Sequence, residues 1–316
     1  MEKEVAVRVS NVSKKYGNLN ALDFVSFEIE KNTIFGLLGS NGAGKSTMAH
    51  ILTGLLSFKK GIVEILGERL WSSYSRSLKR RVAIVPQQIS LYDDLTIYDN
   101  LSFFGKAYGL RRKEILARIR NLDYMLNLGD LNRKIKNLSG GYQRRVSIAV
   151  ALIGDPELLI MDEALVGIDL ETRSIIIKFL RELKKTKTII FTTHSMSEAE
   201  ELCDYVCFLH KGKKVMEGKT EELIENFAIN HNSKIKIIFR DTESALKVKK
   251  LLREEYGVSL SNRTLEIESS SAEYNVSNMI RFLEKIRVFR GDIRTIEIIK
   301  PSLGEIFLDV IKKEGL

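Results

Sequence analysis

The stretch Gly39-Ser40-Asn41-Gly42-Ala43-Gly44-Lys45-Ser46-Thr47 has the form G-x-x-x-x-G-K-[ST]. It follows an apolar run, residues 33–38, that reads as a buried strand, and it precedes Met48, Ile51, Leu52 and Leu55 at helical spacing. A glycine-rich turn between strand and helix lets the backbone fold round an anion with its N–H groups inward, and the positive end of the helix dipole adds to the attraction. This is a phosphate cradle. In it Lys45 is placed to neutralise the β- and γ-phosphates of a nucleotide, and the Ser46 hydroxyl to ligate Mg²⁺.

On either side of the cradle, short apolar runs alternate with helical patterns from residue 5 to about 222, which predicts an α/β fold with a mainly parallel sheet flanked by helices. Strand signals stop near residue 91 and resume at 158–161, 188–192 and 205–209; basic amphipathic helices over 91–153 predict a helical insertion. After a polar stretch at 226–233 the pattern restarts as strand 234–240, helix 242–256, one strand or a hairpin over 258–268, helix 274–288, strand 293–299 and helix 303–313. A hairpin would make this a small α+β domain of βαββαβ order. The expected domains are 1–225 and 232–316.

The 316 residues, 44% apolar and 29% charged, suffice for a large core, which excludes a disordered tail and a disulfide mini-scaffold. The longest apolar run, 148–153, is far short of the about 20 residues that a membrane-spanning helix needs. Met1-Glu2-Lys3-Glu4 does not match a secretory leader, and two cysteines, Cys203 and Cys207, suit a reducing compartment, so a cytoplasmic address is expected. Cys203, Cys207 and His210 have no fourth ligand nearby and read as buried thiols rather than as a metal site. The net charge of +9 is concentrated in residues 106–145, which carry eleven basic and three acidic side chains. Such a block suits nucleic acid, anionic lipid, nucleotide phosphates or a partner protein, or is a solvated helical face.

Cleaving a nucleotide takes acids at a strand end, and Leu158-Leu159-Ile160-Met161-Asp162-Glu163 supplies them. Asp162 would hold the magnesium shell, and Glu163 would polarise the attacking water. His194 follows the apolar strand at 188–192 and would emerge at the same carboxyl edge of the sheet, where open α/β folds collect ligands. There it could bond a γ-phosphate, although a lone histidine is more often structural. Ser139-Gly140-Gly141 opens a helix with Val146, Ala149, Val150 and Ile153 on one face, a second anion-binding helix N-terminus. Its own chain has no phosphate left for it, so it calls for one from elsewhere.

The cradle, then Leu138-Ser139-Gly140-Gly141-Tyr142-Gln143-Arg144-Arg145, then Asp162-Glu163, resemble in that order the ATP-binding cassette (ABC) family of transporter ATPases, over about residues 5–222. The resemblance implies a P-loop NTPase with a RecA-like sheet core, binding and hydrolysing ATP with Mg²⁺. In that family the cradle is the Walker A loop and Asp162-Glu163 completes Walker B. Tyr16, in Lys14-Lys15-Tyr16-Gly17, is similar to the aromatic residue that stacks on adenine. Gln87 or the adjacent Gln88 matches the glutamine that contacts Mg²⁺ and signals to the membrane partner; Gln87 is preferred because it directly follows Pro86 and the strand at 82–85. Ser139, Gly140 and Gly141 match the signature that touches the γ-phosphate of ATP held by a second subunit. His194 matches the switch histidine, and Asp169 the aspartate beyond Walker B.

After Glu163 the family usually reads Pro-Thr-x-Gly-Leu-Asp, whereas this chain has Ala164-Leu165-Val166-Gly167-Ile168-Asp169. Without proline the turn regains an N–H and freedom in φ, so a looser turn is expected. Gly167 and Asp169 remain, and catalysis is still expected. Tyr142 is unusual at its place in the signature. The resemblance further implies a head-to-tail pair of cassettes, expected as a homodimer, lying peripherally on the inner face of the cell membrane and driving a separate transmembrane permease. Residues 301–308 are similar to the tail of exporter-type cassettes for drugs, ions or polysaccharides. No nucleic acid partner is expected: Lys45 and Ser139 are 94 positions apart, too few for the coiled coil of chromosome ATPases, and there is one cassette, not the two of translation factors. The alternatives are a soluble ABC ATPase acting on nucleic acid or the ribosome, and a regulatory subunit that binds nucleotide without turnover.

Overall fold

The computed structural model describes residues 4–70, 75–230, 234–253, 257–268, 283–299 and 301–314. The chain divides into two compact units, Met1–Lys219 and Thr220–Leu316.

The first unit opens with β1 (Val5–Tyr16), β2 (Leu19–Glu30), β3 (Ile34–Leu38), α1 (Lys45–Leu52), β4 (Lys60–Ile65) and β5 (Glu68–Leu70). A short helix α2 (Leu78–Arg81) leads into β6 (Val82–Val85), and α3 (Ile97–Ala107), α4 (Arg112–Leu126) and α5 (Gly140–Leu152) follow as the helical insertion. Then come β7 (Leu158–Asp162), α6 (Leu170–Leu183), β8 (Thr188–Thr193), α7 (Met196–Leu202), β9 (Tyr205–His210) and β10 (Lys213–Lys219).

These strands form two sheets. The six-stranded sheet has the order β10-β9-β3-β8-β7-β6, parallel throughout except for β10. Every residue of β3, β7 and β8 is buried, as expected of parallel strands covered on both faces. The expectation of a mainly parallel sheet holds for this one only, because β2-β1-β4-β5 is a separate antiparallel sheet. Two residues, Gly17 and Asn18, connect β1 to β2, and so short a link forces antiparallel pairing. One core unites the two sheets, with the rings of Phe27 and Phe35 stacked 5.3 Å apart. The insertion differs from the sequence reading in one respect: α5 is buried all round from residue 144 to 152, because α3, α4, α6 and β6 surround it.

The second unit comprises α8 (Thr220–Asn230), β11 (Lys234–Phe239), α9 (Thr242–Leu252), β12 (Gly257–Ser261), β13 (Thr264–Glu268), β14 (Ile293–Ile299) and α10 (Leu303–Glu314). Residues 258–268 fall in a hairpin of β12 and β13, turned at Asn262 with φ 53°. The order β12-β13-β11-β14, all antiparallel, is that of a split β-α-β sandwich. Ile235, Ile237 and Phe239 bury one sheet face against Val248, Leu252 and Ile286. The helix expected at 274–288 lies outside the described residues as far as 282; 283–286 is helical. The units part ahead of α8, whereas the sequence reading ended the first domain at 225, inside that continuous helix. Among the described residues no helix is long and apolar enough to cross a membrane.

Candidate nucleotide site

β3 runs into the cradle and α1 leaves it. Gly39 and Gly44 have φ of 150° and 107°, and neither could carry a side chain: a Cβ would lie 2.2 Å from the Leu209 carbonyl oxygen and 2.5 Å from that of Ala21, respectively. Gly42 is also left-handed, Asn41 is exposed, and Ala43 is buried with its N–H on the Ser40 carbonyl. Gly44 stands at the N-cap of α1, and among the described residues no side chain caps that end, so its first-turn N–H groups are donors for an anion. Lys45 is buried, with Nζ donating to the carbonyls of Gly39 (3.0 Å) and Ser40 (3.1 Å). Thr47 is half-buried one step into the helix.

The acids stand beside it. Parallel pairing of β7 with β8 sets Asp162 opposite Thr192, and Asp162 Oδ1 accepts from Thr192 Oγ1 (2.6 Å) and Ser46 Oγ (3.1 Å). Glu163 follows with φ 46°, a left-handed conformation that costs a non-glycine residue about 1–3 kcal/mol. Its N–H, bonded to the Thr192 carbonyl and hydroxyl at 3.1 Å each, holds it there. That turn points the carboxylate at three partners: Lys45 Nζ lies 3.4 Å from Oε1, while Gln87 Nε2 donates to Oε2 at 3.4 Å and His194 Nδ1 is 3.5 Å away. Lys45, Ser46, Gln87, Asp162, Glu163 and His194 thus converge on one strand edge. Thr192 belongs with them, and the sequence carried no sign of it.

Tyr16, the signature turn and Asp169 stand outside this cluster. Tyr16 ends β1 with its ring half exposed and Lys14 Nζ 5.5 Å from the ring centroid. Ser139 caps α5 by accepting the Tyr142 N–H at 3.3 Å, and both Ser139 and Gly140 are exposed. Among the described residues no hydrogen bond or ion pair joins Ser139, Gly140 or Gly141 to the cradle. Asp169 caps α6; the Thr172 N–H, donating at 2.9 Å, holds its carboxyl below the usual range. It abuts Gly141, where a Cβ would come within 2.7 Å of Asp169 Oδ2. Ala164 and Leu165 are buried, so apolar packing occupies the place of the usual Pro-Thr pair. The unusual Tyr142 braces its surroundings, since its hydroxyl donates to the Leu128 carbonyl and its ring carries the Arg145 guanidinium at 4.2 Å. Arg145 in turn donates to the carbonyls of Leu126 and Asn127, fastening the signature turn to the end of α4.

Mg²⁺ fits the donor set, because a hard cation of this size is commonly held by one or two side-chain oxygens plus phosphate, and Ser46 and Asp162 offer such oxygens beside the cradle. Cys203 and Cys207 are buried, and burial pushes both thiols up.

A parallel sheet whose phosphate loop faces a paired aspartate and glutamate belongs to the P-loop nucleoside triphosphatases. The family model described as ABC transporter matches residues 22–166. The chain is 41% identical over 224 residues to Nod factor export ATP-binding protein I of Sinorhizobium fredii, covering 70% of this chain and 65% of that protein. Its identity to the linearmycin resistance ATP-binding protein LnrL of Bacillus subtilis is 32% over 307 residues, or 96% of this chain and 97% of the relative. A solved ATP-binding subunit of an ABC transporter superposes with a TM-score of 0.64 at 30% identity, over 71% of this chain and 93% of that one. A dimeric ATP-binding cassette in a post-hydrolysis state, bound to ADP and Pi, gives 0.61 at 27% identity, over 68% and 98%. The chain belongs to the ABC transporter family, as one of its ATP-hydrolysing subunits.

Proposed function

We propose that two copies of this chain pair head to tail, each ATP held between the cradle of one copy and Ser139-Gly140-Gly141 of the other, and that the opening and closing of the pair drives export through a separate membrane subunit. The observation that carries this is the exposed Ser139 turn, an anion-binding helix end that no hydrogen bond or ion pair among the described residues joins to the cradle of its own chain. The dimeric cassette with ADP and Pi supports pairing, and the export proteins among the relatives support the direction.

In this reading Tyr16 stacks on adenine, the glycine loop and Lys45 hold the phosphates, and Ser46, Asp162 and Gln87 hold Mg²⁺. The ion, when bound, neutralises phosphate charge. Glu163 takes the proton of the attacking water, His194 bonds the γ-phosphate, and Asp169 steadies the neighbouring Gly141. Phosphate charge draws the two copies together through two anion sites, and loss of the terminal phosphate ends that attraction. The membrane subunit would dock on the insertion near Gln87, where Tyr92 and Phe103, each about half exposed, meet edge to face at 5.0 Å. Docking there would hold the chain on the inner face of the membrane.

Glu163→Gln tests pairing without turnover. Saturating ATP with Mg²⁺ should convert the variant from monomer to dimer on sizing, whereas a variant that stays monomeric would overturn the sandwich.

A further inference from the structure

We propose that Arg144 is the positioning residue that presents Gln87 to Glu163. It lies on α5, just past Ser139-Gly140-Gly141, and is buried. Its Nη1 donates to the Pro86 carbonyl at 2.6 Å and its Nη2 to the Gln87 carbonyl at 2.5 Å. Those carbonyls belong to the two peptide planes on either side of the Gln87 Cα. Because each plane is rigid, pinning both fixes φ and ψ of Gln87, and with them the direction in which its side chain leaves the backbone. That side chain is the one whose Nε2 meets Glu163 Oε2 at 3.4 Å.

The residue type suits this role. A guanidinium offers N–H groups in a rigid fork, whereas a lysine ammonium is a point charge on a flexible stem. Stability does not explain an arginine here: burial pushes the guanidinium pKa down, and among the described residues no carboxylate pairs with it. A well-packed apolar side chain would cost less than a buried cation held by carbonyls alone. What the arginine adds is geometry. Since the same helix carries the signature turn, a shift of that turn on meeting its phosphate would be handed to Gln87.

The inference rests on the roles given above to Gln87 and Glu163. Steady-state ATPase assays with Mg²⁺ on the purified chain test it with Arg144→Met, Arg144→Lys, Gln87→Ala and the double variant Arg144→Met with Gln87→Ala. Misplacing one group without touching the cradle should lower kcat of Arg144→Met about tenfold to a hundredfold, with KM for ATP changed less than about twofold. The double variant should be no slower than Gln87→Ala alone, and Arg144→Lys should recover part of the rate. If the two losses multiply in the double variant, or Arg144→Met keeps its kcat, the proposal is overturned. If Arg144→Met does not fold, Arg144→Lys carries the same cycle. A Gln87→Ala variant of unchanged rate also overturns it, whereas a Glu163→Gln variant that still hydrolyses ATP strikes instead at the assignment of the base.

Discussion

The ammonium of Lys45 lies 3.4 Å from the carboxylate of Glu163, and both residues are almost sealed from solvent. One cation therefore serves two anions, the carboxylate and the phosphates for which the cradle is shaped. Removing it leaves a buried carboxylate that, among the described residues, faces Gln87 and His194. Lys45→Ala should abolish ATP binding and destabilise the first unit by about 3 kcal/mol, the cost of breaking a buried ion pair from one side. Urea unfolding checks this, and adding Glu163→Gln to Lys45→Ala should restore much of the loss. A double variant no more stable than Lys45→Ala would show that the pair is not coupled.

Glu163→Gln separates binding from chemistry. The amide cannot take a proton from water, so turnover should fall by about 100-fold or more, the usual worth of a general base. ATP affinity, measured by nucleotide titration, should hold, since the cradle loses no donor. Near-normal turnover would assign the base elsewhere.

What the sequence disclosed follows from how local each feature is. The cradle and the acid pair are contiguous, and their chemistry demands particular residue types, so both were legible. Gln87 is preferred over Gln88 in the sequence only for its place directly after Pro86, and it is Gln87 that the turn after β6 brings to Glu163. Thr192 could not be found, because its place opposite Asp162 depends on the strand order β8-β7. Arg144 was hidden for a similar reason: its carbonyl partner Pro86 is 58 positions away. The antiparallel sheet was missed although β2 alternates apolar buried residues with polar, less buried ones from Val25 to Glu30, a period-two pattern that marks strands with one open face.

In the proposed pair of copies, Gly141 would face the partner's nucleotide. A side chain there would meet Asp169 Oδ2 at 2.7 Å and Thr172 Oγ1 at 3.0 Å, so Gly141→Asp adds a clash and a second carboxylate at the turn meant for phosphate. A single copy should bind ATP as before, since the cradle is untouched. Pairing on addition of ATP should be lost, which sizing in the Glu163→Gln background would show. Normal pairing would mean that this turn does not face the partner's nucleotide.

In the second unit, Asp241 caps α9 by accepting the Ser244 N–H at 2.7 Å, and that bond holds its carboxyl below the usual range. A depressed native pKa means stability that is present above the unfolded value, about 3.9, and lost as pH falls through the lower native one. Asp241→Ala should thus lower the thermal midpoint of this unit near neutral pH, and the gap to wild type should close in acid, below about pH 4. Asp241→Asn, which caps without a charge, should lie between Asp241→Ala and wild type near neutral pH. Scanning calorimetry across pH distinguishes these, and a gap that does not change with pH would remove the charge from the account.

The basic insertion offers a test of docking on its own. Arg111, Arg112 and Lys113 are all exposed at the start of α4, and among the described residues only Arg111 of the three has a close acidic partner, Glu114 at 3.2 Å. Exposed charges add little to stability, so neutralising all three should leave the fold and the basal ATPase unchanged. Their field reaches a partner through about one Debye length of salt, roughly 8 Å at physiological strength, and so acts on association. The triple change to glutamine should weaken capture of the membrane subunit, and raising the salt should weaken wild-type capture towards the same level. Phe103→Ala, which removes apolar surface rather than charge, should also weaken capture but leave its salt dependence in place. If the triple variant captures the membrane subunit as well as wild type does, the basic block is a solvated face and docking rests on the aromatic surface alone.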